Sequence, residues 1–531
     1  MFSSPLTISG SDLLQHQKVM FGFHSLLLEN DLKGILPELF LVSVTIFLLI
    51  YGVILSTSKP NYPLLVDNLS WLALLSLFFT LILTKNLVFS NAFLFYNTLI
   101  LDQSTSFFKL VVCIGAIFSI LISLDYIKKE GLNGFEYTIL ILLSTSSMFF
   151  LVSSADLISL YLGIEFQSLC FYVLAASKRD SEFSTEAGLK YFLLGAFSSG
   201  LLLFGFSLIY GFTGITSLSE LSSLFTCGAE EISTGISSLR GCELGMVFIL
   251  VGFLFKSTAV PFHMWAPDVY EGAPLSVTAF FSIAPKVSIL AVFVRLFLES
   301  FYDFMVDWQK LLIFSSIGSM TLAAFAAMSQ NKIKRLLAYS SIGHVGYILV
   351  GLCCGTVEGL QALLIYLVIY VMITINIFGI VLLPLRRDPS PSSSRGISGI
   401  SRLKYTTDFA QMAKTNPLLA FTVTISLFSI AGIPPLAGFY SKAFLFFAAI
   451  SSAQFLLALI GVLTSVISCF YYIRIVKIMY FETPKNWLTF SSIPKSSSIP
   501  LGISLFFILF FMTYPSPLYL ATHKVALALS F

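Results

Sequence analysis

Residues 245–265 form the apolar run GMVFILVGFLFKSTAVPFHMW, with Lys256 and Pro261 inside it. A membrane-spanning helix needs about 20 predominantly apolar residues, and this run has that length. Only 11% of the 531 residues are charged and 57% are hydrophobic, whereas soluble proteins carry about 25% charged residues. The composition therefore excludes a soluble enzyme and predicts a polytopic integral membrane protein.

Similar runs recur along the chain and predict about 14 membrane-spanning helices. Each run is apolar on all sides, which excludes a porin-like barrel, whose strands have about 10 residues of alternating character. The predicted fold class is therefore an all-α polytopic membrane protein. The expected spans are 35–55, 64–84, 107–125, 136–153, 156–177, 187–211, 245–264, 275–298, 310–328, 337–355, 358–385, 416–450, 454–480 and 498–518.

Lysine and arginine residues are distributed unevenly between the two sides of this arrangement. Most of the 30 fall after odd-numbered spans, and the other side collects few, among them Lys109 and Arg295. The positive-inside rule places the positive-rich side toward the cytoplasm or the mitochondrial matrix. Both termini are therefore expected on the opposite side, which is the intermembrane-space side in a mitochondrion.

Four charged residues fall near the middle of predicted spans. A charge at the bilayer centre costs about 2.5 to 3.5 kcal/mol, so it faces protein or water and marks an ion pathway by default. A lysine among apolar residues gives up its proton more readily than one in water, and a nearby carboxylate opposes this. We therefore predict that all four transfer protons, the alternative being buried ion pairs that only fix helix packing. These residues are Glu165, Lys256, Lys286 and Lys442.

Three further residues are weaker candidates for a proton relay. His344 lies inside a predicted span, His263 follows the proline of the seventh span, and Lys190 lies where protons can be taken up. The alternatives are hydrogen-bonded structural histidines and a surface anchor. No CxxC spacing and no nucleotide-binding loop is present, so no metal or cofactor bound by this chain and no nucleic-acid partner is expected.

Two predicted spans are interrupted in a similar way. The seventh carries Lys256 before Pro261, and the twelfth carries Pro434 and Pro435 before Lys442. Interrupted helices at corresponding positions of two halves are typical of inverted-repeat transporters. Because the two breaks are five spans apart, spans 4–8 and 9–13 are predicted to be two inverted five-helix repeats. Ordinary proline kinks are the alternative.

These predictions divide the chain into five segments. The first segment lacks the charged and apolar regions of a signal peptide and is interpreted as an extension. A loop rich in Ser, Pro and Gly interrupts the second repeat and is predicted to be flexible. The segments are the N-terminal extension 1–34, spans 1–3 at 35–125, the first repeat at 136–298, the second repeat at 310–480 with the loop 388–404, and span 14 with the C-terminal tail at 498–531.

Three motifs resemble the antiporter-like membrane subunits of respiratory complex I. They are FKSTAVPFHMWAPDVYEG at 255–272, KRLLAYSSIGHVGY at 334–347 and AGIPPLAGFYSK at 431–442. The stretch AASKRDSEFSTEAGLKYFLLGAFSSG at 175–200 narrows the resemblance to one subunit type of the mitochondrial form. The resemblance runs from about residue 36 to the C-terminus, and the extension and the loop near 388–402 depart from the family pattern.

The resemblance implies a fourteen-helix fold with two inverted repeats and a subunit of a proton-pumping NADH:ubiquinone reductase. It implies that Glu165 on helix five and the three lysines on helices seven, eight and twelve move protons. NADH, FMN, iron–sulfur clusters and ubiquinone are expected in other subunits. Other membrane-arm subunits, accessory subunits and phospholipids are the implied partners, in the mitochondrial inner membrane. A stand-alone cation/proton antiporter subunit and a purely structural scaffold remain the alternatives.

Overall fold

Helices make up nearly all of the computed structural model, which describes residues 31–58, 63–86, 91–130, 134–231, 236–387, 400–401, 403–483, 488–490 and 493–530. The first ten helices are α1 Leu36–Ser58, α2 Pro63–Lys85, α3 Gln103–Glu130, α4 Glu136–Ser153, α5 Leu157–Ala175, α6 Glu182–Thr213, α7 Leu218–Glu231, α8 Ile236–Ser257, α9 Trp265–Gly272 and α10 Leu275–Arg295. The others are α11 Met305–Met328, α12 Ile333–Cys353, α13 Val357–Val381, α14 Met412–Thr415, α15 Pro417–Ala431, α16 Ala437–Ser451, α17 Phe455–Phe481, α18 Lys495–Phe510 and α19 Ser516–Ser530.

Eleven helices among the described residues are long and apolar enough to cross a membrane, namely α1 to α6, α10 to α13 and α17. Three shorter apolar helices are α15, α16 and α18. Helices α15 and α16 occupy the predicted twelfth span, and α8 begins before the predicted seventh span, 245–264, and overlaps it up to Ser257. A polytopic helical membrane protein is thus confirmed, while the number of about 14 spans and the inverted repeats remain predictions.

Short strands lie in the connecting segments, so the chain is nearly all-helical rather than wholly α. One antiparallel hairpin lies between α2 and α3, and a three-stranded antiparallel sheet has the order β4-β3-β5. These pairings satisfy backbone N–H and C=O groups that no helix satisfies. The strands are β1 Ala92–Leu94, β2 Leu99–Leu101, β3 Leu385–Arg387, β4 Ile400–Ser401 and β5 Leu488–Phe490.

Helix α10 lies at the centre of the described helices and is buried along its whole length. Helices α12 and α13 are nearly as buried, whereas α1, α6 and α17 expose many apolar side chains. Such exposed Leu, Ile and Phe side chains suit a lipid or subunit environment. Because α10 has protein on every side, its residue Lys286 faces other helices and not lipid.

The first predicted helix break lies between α8 and α9. Helix α8 ends at Ser257, and Thr258 has a left-handed φ of 69°, which a β-branched residue rarely adopts. Pro261 follows and has no backbone N–H to donate. The indole Nε1 of Trp265 donates to the carbonyl of Phe255 at 3.0 Å. The break thus places α9 beside the end of α8 and leaves polar groups near Lys256 without helical partners.

The second predicted break lies between α15 and α16. Helix α15 ends at Ala431, and Gly432 has a φ of 90°, which glycine adopts without steric cost. Pro434 and Pro435 then prevent continuation of the helix. At Gly438 a Cβ atom would collide with the backbone of α15, so the two half-helices approach closely because this residue has no side chain.

Two predicted segments fall largely outside the described residues. They are the extension 1–34, of which residues 1–30 are not described, and the loop 388–404, of which 388–399 and 402 are not described. Near the C-terminus, α18 ends at Phe510, before the predicted limit of 518, and α19 follows from Ser516. Pro515, which immediately precedes α19, cannot donate the backbone hydrogen bond that a continuous helix would need.

Candidate proton-transfer site

The three lysines predicted from the sequence are all buried, with exposed fractions of 8% for Lys256, 4% for Lys286 and 6% for Lys442. Lys256 lies in the last turn of α8, Lys286 lies at the middle of α10, and Lys442 lies in α16 just after the second break. Buried ammonium groups require polar partners or water. Their surroundings therefore decide what each can do.

A first cavity of about 30 Å³ is lined by both Lys256 and Lys286. Its polar lining also includes Gln167 and Thr258. The Nζ atom of Lys256 has no hydrogen-bond partner among the described residues. Because a cavity of about 10–15 Å³ holds one water when polar groups line it, the first cavity has room for water between the two lysines.

Glu165 lies on α5 beside this cavity and is half-buried. Ser168 donates to its Oε2 atom at 3.5 Å, whereas its Oε1 atom is buried without a partner among the described residues. Glu165 is close enough to act electrostatically on Lys256, but no ion pair within 4.0 Å joins them in the described part of the chain. The Glu165 carboxylate thus acts on Lys256 through its charge at a distance, without a direct ion pair among the described residues.

Lys286 connects the first cavity with a second one. Its Nζ atom donates to the hydroxyl of Tyr370 at 3.2 Å and to the carbonyl of Ser341 at 3.4 Å. It also lies 5.4 Å from the centroid of the Tyr370 ring, within the range of a cation–π contact. Tyr370 and Ser341 both line the second cavity, which also measures about 30 Å³.

His344 and Lys442 line the second cavity together. The Nδ1 atom of His344 lies 2.6 Å from the Tyr366 hydroxyl, and the ring is within electrostatic range of both Lys286 and Lys442. Lys442 donates to the carbonyl of Ala431 at 3.1 Å, a carbonyl at the end of α15. The structure thus places His344 between two of the predicted lysines.

The other two weak candidates lie apart from both cavities. His263 is half-buried in the turn after the first break, and its Nδ1 atom has no partner among the described residues. Lys190 is 43% exposed on α6, where its Nζ atom lies 2.6 Å from Glu186 and 3.4 Å from Asp268. Neither residue is brought into the series of buried lysines.

A network of ion pairs around α9 was not predicted as such. Asp268 accepts from Arg335 at 2.8 Å and from Lys190 at 3.4 Å, and Glu271 pairs with Lys332. These contacts join α6, α9 and α12, which lie on both sides of the expected boundary between the repeats. The sequence shows the charges, but their pairing depends on helices that are far apart along the chain.

Two buried ion pairs lie outside the predicted site. The sequence counts Lys109 and Arg295 among the few cations of the positive-poor side, and the structure shows that both are buried: Lys109 pairs with Glu38, and Arg295 lies 2.8 Å from Asp102. Burial by itself would raise the pKa of Asp102, but the Arg295 guanidinium and the Thr105 backbone N–H lower it below its ordinary value. These pairs join helices that hydropathy alone cannot place side by side.

Residues 154–468 match a family described as NADH:quinone oxidoreductase/Mrp antiporter, TM. The chain therefore belongs to this family of antiporter-like membrane subunits.

Within the family, the chain is similar to chain 2 of NADH-ubiquinone oxidoreductase. It is 58% identical to that chain from Marchantia polymorpha over 94% of its own length and 99% of the relative's. It is 51% identical to that chain from Arabidopsis thaliana, with coverage of 94% and 97%. It is 43% identical to NADH-quinone oxidoreductase subunit N of Parvibaculum lavamentivorans, with coverage of 93% and 97%. The narrower resemblance carried by residues 175–200, to subunit 2 of the mitochondrial type, is confirmed.

Solved structures show the same fold. A chain from respiratory complex I of Thermus thermophilus has a TM-score of 0.72 and 25% identity, covering 92% of this chain and 99% of its own. A chain from the Mrp complex of Dietzia has a TM-score of 0.76 and 19% identity, covering 94% and 98%. The second likeness is one of fold alone.

Proposed function

We propose that this chain is a proton-translocating membrane-arm subunit of NADH:ubiquinone oxidoreductase. The observation that carries the proposal is the order of its buried polar groups. The first cavity holds Lys256 and Lys286, and Lys286 contacts two residues of the second cavity, which holds His344 and Lys442. Buried cations in a membrane protein are costly and mark ion paths, and here they form a series.

In the proposed mechanism, a change around Glu165 starts the transfer. Quinone reduction elsewhere in the complex alters the charge or position of this carboxylate, which changes the tendency of Lys256 to hold its proton. The proton passes through water to Lys286, and then by way of His344 to Lys442, which releases it. Proton relays through buried His and carboxylate groups are typical of membrane pumps.

The distribution of cations gives the proposed orientation, with the positive-rich side toward the matrix. In this proposal, protons are taken up from the matrix and released on the positive-poor side. The chain is multi-pass in the mitochondrial inner membrane, and both termini lie on the intermembrane-space side. The two breaks, each beside a buried lysine, support two inverted five-helix repeats within about 14 spans.

The chemistry of electron transfer is assigned to the rest of the complex. This chain carries no redox centre, and NADH, FMN, iron–sulfur clusters and ubiquinone bind to other subunits. Neighbouring membrane-arm and accessory subunits and phospholipids cover its exposed apolar faces. The names of the curated relatives support this assembly.

A stand-alone cation/proton antiporter is the second candidate, because the same fold occurs in the Mrp complex. The relatives that are 51% and 58% identical carry oxidoreductase names and favour the first candidate. Sodium- or potassium-dependent proton exchange by the isolated chain would favour the antiporter.

The test is Lys256→Met in the assembled complex, with Lys310→Met as the matched control. Lys310 lies on α11 and is 70% exposed. NADH activity on native gels verifies assembly, and quenching of a pH-sensitive dye in vesicles measures pumping. We expect Lys256→Met to lower pumping and coupled turnover by roughly tenfold or more, and the control to leave both unchanged. Wild-type pumping in an assembled Lys256→Met complex would refute the proposal.

A further inference from the structure

Gln167 is a buried glutamine on α5, two residues after Glu165, with 3% of its surface exposed. Its Oε1 atom accepts from the hydroxyl of Ser288 at 3.4 Å, and its Nε2 atom has no partner among the described residues. An unsatisfied buried donor has a desolvation cost that no hydrogen bond offsets. A polar group that the chain itself does not supply would remove this cost.

Gln167 lines the first cavity, together with Lys256 and Lys286. Two other lining residues, Lys256 and Thr258, also carry a polar atom, Nζ and Oγ1 respectively, that lacks a partner among the described residues. A water needs 2–4 polar partners and about 10–15 Å³, and this cavity measures about 30 Å³. The cavity therefore meets the requirements of ordered water.

We propose that Gln167 is a positioning residue that orients the water through which Lys256 passes its proton to Lys286. This inference rests on the proposed function of the chain. When the amide N–H donates to one lone pair of the water, the other lone pair remains for the Lys256 ammonium. The water then takes a proton from Lys256 as it gives one of its own to the neutral Lys286 amine. The water is regenerated, and one positive charge has moved between the lysines.

Gln167 is linked to α10 near Lys286. Ser288 lies two residues after Lys286 on α10, and its single hydroxyl hydrogen is shared between the carbonyl of Pro285 at 2.9 Å and Oε1 of Gln167 at 3.4 Å. The Gln167 side chain thus bridges α5 and α10 at the level of the lysine. A neutral amide suits this position because, unlike a carboxylate, it directs a water without holding a proton or a charge.

Gln167→Met in the assembled complex tests the inference. Methionine has a similar volume and flexibility but makes no strong hydrogen bond. We expect pumping-linked NADH:quinone turnover to fall roughly three- to tenfold. The solvent deuterium isotope effect is expected to rise, because proton transfer becomes rate-limiting. Gln167→Asn keeps the amide and is expected to recover part of the rate.

Gln361→Met is the matched control, since Gln361 is also a buried glutamine, on α13, and donates to the carbonyl of Tyr519. Its isotope effect is expected to match that of the wild type. A wild-type rate and isotope effect in Gln167→Met would overturn the inference, as would an equal loss in both variants with an unchanged isotope effect.

If Gln167→Met does not assemble, Ser288→Ala is measured instead. It removes the hydroxyl that holds the Gln167 amide, and we expect a smaller rise in the isotope effect. An assembled Ser288→Ala complex with a wild-type isotope effect would overturn the inference. Lys256→Met separates this result from the proposed function: if that variant loses pumping while Gln167→Met retains it, only the role of Gln167 fails.

Discussion

The two helix breaks hold their lysines in different ways. Beside the first break, the Lys256 Nζ atom has no hydrogen-bond partner among the described residues and faces a cavity. Beside the second, Lys442 donates to the carbonyl of Ala431 and lies 5.1 Å from the centroid of the Tyr347 ring. Among the described residues, similar sequence interruptions thus leave one ammonium group without a hydrogen-bond partner and anchor the other.

This difference indicates different roles in transfer. An ammonium group with no fixed hydrogen-bond partner is sensitive to the charge of a nearby carboxylate, here Glu165. No hydrogen bond to the protein stabilises its charged form, so the carboxylate has a large share in that stabilisation. An ammonium group bound to a backbone carbonyl has a fixed direction, and carbonyls freed at helix breaks are typical ion ligands in transporters. We infer that Lys256 is the switch and that Lys442 is the release group.

The largest loss of pumping is expected from Glu165→Gln, which removes the carboxylate that acts on Lys256. Removing the charge takes away the electrostatic influence on Lys256, and we expect pumping-linked turnover to fall about tenfold. Glu358→Gln is the control, because Glu358 is an exposed carboxylate on α13 that accepts from Ser451 at 3.2 Å. Equal rates in the two variants would show that Lys256 does not respond to Glu165.

An intermediate effect is expected from Gly432→Ala at the second break. A Cβ atom there would lie 3.1 Å from Cδ of Lys442, in a backbone with a φ of 90°. We expect a loss of about 1–3 kcal/mol in stability from backbone strain, and a few-fold slower turnover as Lys442 leaves its carbonyl. Thermal unfolding of the complex and its pumping rate measure the two effects.

Gly214→Ala is the control for this substitution. Gly214 ends α6 with a φ of 71°, and a Cβ atom there would meet nothing within 4 Å. It is expected to show similar strain with normal turnover. If Gly432→Ala also pumps normally, the anchored position of Lys442 has no part in transfer.

The smallest effect is expected from Lys190→Met on α6. Its ion pairs with Glu186 and Asp268 are exposed, and solvent screens such pairs so that they contribute little to stability. We expect turnover to change by less than about twofold. The measurement is the pumping rate at low and at high salt, because salt screens exposed ion pairs. A loss as large as that of Lys256→Met would instead place Lys190 on the uptake path.

The sequence predicts the helices and breaks well because their causes are local. A run of apolar residues defines a span, and Gly432 with Pro434 and Pro435 defines a break, without reference to any other part of the chain. The three lysines inside apolar runs are also recognised from local sequence alone. Their placement in two cavities depends on packing, which local pattern does not contain.

Two buried cations show the limit of such reasoning. Lys109 pairs with a carboxylate 71 residues away, and Arg295 with one 193 residues away. Hydropathy places both residues near the ends of spans, where an exposed cation is common. Only the packing of α1, α3 and α10 reveals that they are buried. Gln167 escaped notice because an uncharged amide inside an apolar run gives no electrostatic signal.

The ion pair between Glu38 of α1 and Lys109 of α3 has a consequence for biosynthesis. Both side chains are 1% exposed, and a buried charge without its partner opposes insertion of the helix that carries it. Helix α1 leaves the ribosome before its partner exists. We therefore expect the insertion machinery to retain α1 until α3 has been synthesised. Helices α1, α2 and α3 would then enter the lipid together, with Glu38 and Lys109 already paired.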